Sequence, residues 1–157
     1  MAIYLVQHGM TVPKEADPRR PLSDEGREEI LSVAEHLKKM GIAVPQIYHS
    51  GKARASETAR ILSDRIGNGE VHEVTGMNPM DDVTLFTSSV RNDAMYVGHL
   101  PHMGKLVSYL ITGETENSVV RFIFGGVVCV EKDRQGYHVQ WYLRPSMCTD
   151  QPHGSSE

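Results

Sequence analysis

The sequence predicts one α/β domain, a three-layer α/β/α sandwich around a single mostly parallel, mixed sheet. Three observations carry that expectation. Short apolar runs alternate with amphipathic stretches of helical spacing from Ala2 to Gly113, the order that builds βα units. The last third turns β-rich. A chain of 157 residues, 39% apolar and 23% charged, is long enough to bury one core. The domain is expected over 1–145, with the small, polar residues 146–157 a flexible tail.

The elements follow in order. Ala2 to Val6 is an apolar, partly β-branched run stopped by His8-Gly9, hence a buried strand. A polar loop, Met10 to Pro21, carries Pro13, Pro18 and the pair Arg19-Arg20. Ser23 is placed to cap a helix running to about Met40, with Ile30, Ala34 and Leu37 on one face and Gly41 as its stop. Gln46 to His49 is a short strand, and Ser50-Gly51 turn into a helix over about Ala53 to Ile66, apolar at Ala55, Ala59, Leu62 and Ile66. Strands are expected at Val71–Val74 and Ala94–Val97, with helices over Asp81–Val90 and His102–Ile111. Three closing strands are expected at Val119–Phe124, Val127–Glu131 and Tyr137–Leu143, the last two joined by a hairpin turn at Asp133–Gly136.

Composition narrows function. A net charge of -4, from 16 basic and 20 acidic residues, does not favour nucleic acid or an anionic membrane. No apolar run approaches the ~20 residues of a membrane span, and no basic leader precedes the first strand. Cys129 and Cys148 form neither a disulfide framework nor a zinc pattern, so two free thiols and a cytoplasmic location are expected.

Chemistry gathers at strand ends. Val6-Gln7-His8-Gly9 and Val97-Gly98-His99-Leu100-Pro101 each end a strand in histidine. Were both strands parallel in one sheet, the imidazoles would emerge at the same C-terminal edge, where such sheets place ligands. Arg54 lies in the first turn of a helix that follows a third strand end, joining a guanidinium to a helix N-terminus, a natural anion site. Arg20 is placed to add a second bidentate contact to phosphate. His102 is expected to face solvent in a first helical turn. His8, His49 and His99 at successive strand ends lack the spacing of a dedicated metal site, so no metal or other cofactor is expected.

The set Gln7-His8-Gly9, Arg20 to Gly26, Ser50 with Arg54 to Ala59, and Val97 to Pro101 resembles the histidine phosphatase (phosphoglycerate mutase-like) superfamily. The short chain is most similar to its SixA-type phosphohistidine phosphatase branch. The resemblance implies a phosphoglycerate mutase-like fold and hydrolysis through a phosphohistidine on His8. It implies catalytic roles for His8, His99 and Arg54, and a phosphate or substrate site of Gln7, Gly9, Arg20, Arg54, His99 and Leu100. His99 is expected to act protonated. The implied substrates are a phosphorylated protein, such as a histidine-phosphotransfer protein, or a small phosphoester.

The chain departs from the family's Arg-His-Gly at Gln7, where a neutral amide replaces a charged phosphate ligand. Either Lys14, Arg19 or Lys52 restores the charge, or the protein is a weak or inactive module that binds phosphate or a phosphoprotein. A small-molecule phosphoester phosphatase is a third reading. Asp81, Asp82 and Glu57 are the candidates for a general acid.

Overall fold

In the computed structural model, which describes residues 1–67 and 69–148, β1 (Ala2–Gln7) sits inside a six-stranded sheet. The other strands are β2 (Gln46–His49), β3 (Glu70–Glu73), β4 (Ala94–Gly98), β5 (Val127–Asp133) and β6 (Gly136–Leu143). Their order is β3-β2-β4-β1-β5-β6. The first four are mutually parallel, while β5 runs antiparallel to both β1 and β6. The mixed, mostly parallel sheet is therefore as expected.

Successive strand residues point to opposite faces, and each face has its own core. Val6, Ile47 and Val97 pack with Ile30, Ala34, Leu37, Ala59 and Leu62 of α1 (Asp24–Lys39) and α2 (Ala53–Ile66). Ile3, Leu5 and Tyr96 pack on the other face with Phe86 of α3 (Val83–Phe86) and with Met103, Leu106 and Val107 of α4 (His102–Thr112). No helix among the described residues is long and apolar enough to cross a membrane.

Caps set the helix bounds. Ser23 Oγ accepts the Gly26 N–H at 3.0 Å to start α1, and Gly113, at φ 82°, closes α4 in the left-handed region. Gly26 has a second reason to lack a side chain: a Cβ there would collide with the Met10 carbonyl.

Three expectations need correction. The expected strand Val119–Phe124 is not one. Its backbone is met by a side chain instead, since Tyr142 Oη accepts the Ile123 N–H at 3.1 Å and donates to the Arg121 carbonyl at 2.9 Å. The expected helix Asp81–Val90 shrinks to α3 followed by a 3-10 turn, Thr87–Ser89. There Asp82 caps Thr84 N–H, and the hydroxyls of Thr87 and Ser88 bond carbonyls three residues back, competing with helical bonding. Strand β3 begins and ends one residue earlier than expected. At the C-terminal end, a 3-10 turn over Pro145–Met147 and the buried Cys148 pack with the α1 side of the core. Residues 149–157 of the expected tail lie outside the described residues.

Candidate active site

Register brings the histidines together. Gln7 of β1 pairs with Gly98 of β4, so the next residue on each strand, His8 and His99, emerges side by side at the C-terminal edge. Their ring centroids are 5.0 Å apart. On the far side of β4, His49 of β2 pairs with Val97, which delivers Ser50 to the same place. Ser50 Oγ lies 2.5 Å from His99 Nε2.

His8 is 5% exposed, and its backbone is fixed on both sides. Its N–H donates to the Gly98 carbonyl at 3.1 Å, and its carbonyl accepts from Gly125 N–H at 3.1 Å. In the ring, Nδ1–H donates to the Gly9 carbonyl at 2.7 Å. That bond selects the tautomer in which Nε2 carries the lone pair. Burial lowers its pKa to about 4, against the Gly9 bond, with Arg54 and Arg20 lowering it further. Near neutral pH, His8 is a neutral, nucleophilic imidazole.

His99 is lowered to about 3, first by burial and then by the nearby His8, Arg54 and Lys52. The expected protonated form is therefore not the one its protein neighbours favour. The Ser50 hydroxyl, which also accepts the Lys52 N–H at 3.4 Å, bonds His99 Nε2, while His99 Nδ1 is buried without a partner.

Arg54 stands in the first turn of α2, as expected. Burial and the Arg20 guanidinium lower its pKa, and its Nε is buried without a partner, an N–H donor left for an oxyanion. Arg20 comes from the loop between β1 and α1. A bridge between Thr11 and Leu22 and the bond from Val12 N–H to the Pro21 carbonyl close the neck of that loop. Arg20 itself adopts φ 51°, a left-handed conformation uncommon for a side chain of its size, and its Nη2 reaches Thr11 Oγ1 at 3.4 Å.

Other residues take parts that differ from expectation. Gly9 gives its N–H to Thr58 Oγ1 at 3.0 Å and its carbonyl to His8, so it holds the imidazole rather than a ligand. A Cβ on Gly9 would also press on Ile30 and Leu22. Leu100 is 41% exposed beside the site. Gln7 is 5% exposed, and its Oε1 is buried without a partner. Of the three cations expected to stand in for the missing arginine, Arg19 is bound to Asp17 at 3.1 Å and mostly solvated. Lys52 is the one whose charge is felt at His99. The three candidate acids are occupied: Glu57 accepts Leu22 N–H, Asp81 accepts Asn78 N–H, and Asp82 caps α3. His102 is not solvent-facing. It is fully buried, edge-on to Phe86, and burial lowers its pKa. His49 accepts the Gly51 N–H in the turn before α2.

Sequence reasoning missed Phe124, and it gave Ser50 and Thr58 no role beyond membership of the family motif. Thr58 carried a signal: a hydroxyl on the apolar face of a helix seeks the carbonyl four residues back, and Thr58 donates to Arg54 O at 2.8 Å. With the Gly9 N–H bond to Thr58 Oγ1, it ties the glycine after His8 to the helix turn bearing Arg54. Phe124 had no such signal, since only the loop path brings it to His8, and strand register is what sets Ser50 on His99.

A cluster of a neutral, oriented imidazole, a second imidazole, one guanidinium at a helix N-terminus and another from a loop suits attack on a phosphoryl group. Comparisons agree with that chemistry. Residues 3–81 match the histidine phosphatase superfamily (branch 1). Phosphohistidine phosphatase SixA of Escherichia coli K12 is 26% identical over 155 residues, covering 92% of this chain and 94% of that protein. Two solved structures share the fold. The protein histidine phosphatase SixA complexed with tungstate aligns with a TM-score of 0.79 at 24% identity, covering 95% of this chain and 100% of that one. A phosphoserine phosphatase from Entamoeba histolytica, in complex with 3-phosphoglyceric acid, aligns at 0.69 and 17% identity, covering 90% and 95%. The fold is phosphoglycerate mutase-like, and the chain belongs to the histidine phosphatase superfamily.

Proposed function

We propose that the protein is a phosphohistidine phosphatase of the SixA type, with His8 as nucleophile. The observation that carries this is the bond from His8 Nδ1–H to Gly9 O, which leaves Nε2 unprotonated 5.0 Å, ring to ring, from His99. In the first step the Nε2–P bond forms as the substrate's P–N bond breaks, and the leaving imidazole departs with a proton acquired from solvent. His8 keeps its Nδ1 proton on Gly9 O throughout, so the phosphorylated ring is a good leaving group. In the second step a water oxygen bonds to phosphorus as the Nε2–P bond breaks. The water's hydrogens depart with inorganic phosphate, and His8 returns to its neutral form.

Arg54 and Arg20 neutralise the phosphoryl oxygens, so catalysis rests on positioning and charge. A phosphoryl dianion beside His99 favours the imidazolium, so His99 takes up a proton as the anion arrives and then donates to it. Gln7 adds a neutral donor, and Lys52 supplies part of the missing charge. The occupied carboxylates favour a nitrogen leaving group over an alkoxide, which needs an acid. The natural substrate under this reading is a phosphohistidine-bearing protein, such as a histidine-phosphotransfer protein. Buried free thiols at Cys129 and Cys148 suit a reducing, cytoplasmic setting. Wild type and His8→Ala assayed on an aryl phosphate and on a phosphohistidine protein test the proposal. Turnover confined to the wild type is expected, and equal rates would end it.

A further inference from the structure

Phe124 is a large apolar side chain that meets the ring of His8 while remaining open to solvent. Its ring centroid lies 5.5 Å from that of His8, tilted by 42°, and the residue is 42% exposed. Its place is not that of a loose loop residue. Gly125, at φ 77°, donates its N–H to the carbonyls of both Gln7 and His8, and Gly126 O accepts the Gln7 N–H at 3.1 Å. Gly126 N–H in turn bonds Ile123 O at 3.0 Å. The two glycines thus staple the backbone after Phe124 to the end of β1, and the ring is held against His8 by the same residues that hold His8.

Phe124 also forms one wall of a cleft of about 490 Å³ with Met10, Val12, Lys14 and Arg20 among its other walls. Arg20 joins that cleft to the phosphate cluster, because its charge is felt at both His8 and Arg54. A phosphoryl group held between His8 and Arg20 would therefore lie beside a cleft with an aromatic wall. From this geometry we infer that Phe124 is a specificity-determining residue, a stacking platform that selects phosphoryl donors with a flat aromatic leaving group over alkyl ones. The inference deepens the phosphatase reading, since an imidazole leaving group is such a ring. An aromatic pair contributes enough for about 2- to 10-fold discrimination.

Two non-hydrolysable probes, phenylphosphonate and methylphosphonate, separate this role from turnover. Calorimetric titration of wild type, Phe124→Leu and Phe124→Tyr gives the ratio of the two affinities for each protein. Wild type and Phe124→Tyr are expected to prefer phenylphosphonate, and Phe124→Leu to lose about 2- to 10-fold of that preference while binding methylphosphonate unchanged. An unchanged ratio in Phe124→Leu overturns the inference, as does equal weakening of both ligands or failure of wild type to bind either. Turnover of aryl phosphate is measured on the same preparations. Selective phenylphosphonate binding without any turnover would sink the phosphatase reading and leave the role of Phe124 standing.

Discussion

Replacing Gln7 by arginine places a charge beside His8, and the size of the effect follows from where Gln7 sits. It ends β1 opposite Gly98, is 5% exposed, and leaves Oε1 buried without a partner. A charge-assisted hydrogen bond contributes about 1.5–3 kcal/mol against roughly 0.5–1.5 for a neutral one. The difference, about 1–1.5 kcal/mol expressed in the transition state, is roughly a 10-fold gain in kcat/KM for Gln7→Arg. Gln7→Met keeps the length and removes the donor, so it is expected to lose roughly 2- to 10-fold. Lys52 enters the same sum because its charge already reaches His99. Lys52→Ala should cost more activity in the Gln7 background than in the Gln7→Arg background, a coupling that a double-mutant cycle reads directly. The assay is steady-state hydrolysis of an aryl phosphate, with melting curves to confirm that each variant is folded. Gln7→Met as active as wild type, or a folded Gln7→Arg no faster than wild type, would refute a phosphate contact at residue 7.

Three further outcomes are expected. His8 and His99 have folded pKa values of about 4 and about 3, below the unfolded value of about 6.5, so the unfolded chain binds more protons between those limits. Stability is then full above about pH 6.5 and falls as pH drops towards 4, by about 3 kcal/mol for His8 alone; melting temperatures of wild type and His8→Asn across that range should converge on acidification, and parallel curves would contradict the assignment. Sulfate, which does not titrate near neutrality, should bind at pH 7 with uptake of a proton by His99, read as binding heats that depend on the buffer's ionisation enthalpy; buffer-independent heats in wild type would count against it. Arg20→Gly removes a guanidinium but suits the φ of 51° at that position, so an unchanged or higher melting temperature is expected together with at least a roughly 10-fold loss of kcat/KM. A variant that is both less stable and fully active would show that Arg20 serves the loop alone.

Much of this was readable from the chain. The bounds of β2 and α2, the Ser23 cap and the strand ends at His8 and His99 follow from local punctuation, apolar spacing and glycine stops. What stayed hidden depends on contacts between distant segments. Val119–Phe124 has the composition of a strand, yet β1 is already paired on both sides by β4 and β5, and the Tyr142 hydroxyl takes up two of the segment's backbone groups. Phe122 is buried there, edge-on to Tyr142, so the apolar residues reflect packing rather than a ladder. His102 read as an exposed first-turn residue because its position in α4 does not reveal Phe86 across from it. The meeting of Ser50 with His99, and of Phe124 with His8, depends on strand register and on a glycine staple, neither of which has a local signature. The strand-end motifs at His8 and His99, taken with those at Arg20 and Arg54, pointed to a candidate site, and the fold adds the partners of each ring, Gly9 O for His8 Nδ1 and Ser50 Oγ for His99 Nε2.

The proposed mechanism requires that Nε2 of His8 accept the phosphoryl group. Its most direct test is an alkaline quench during steady-state turnover of a phosphohistidine protein, followed by peptide mass spectrometry to locate phosphate on this chain. Phosphate on His8 in wild type, absent from His8→Ala, is the expected result. Sustained turnover with the phosphoryl group on another residue, or with none on His8, would contradict it.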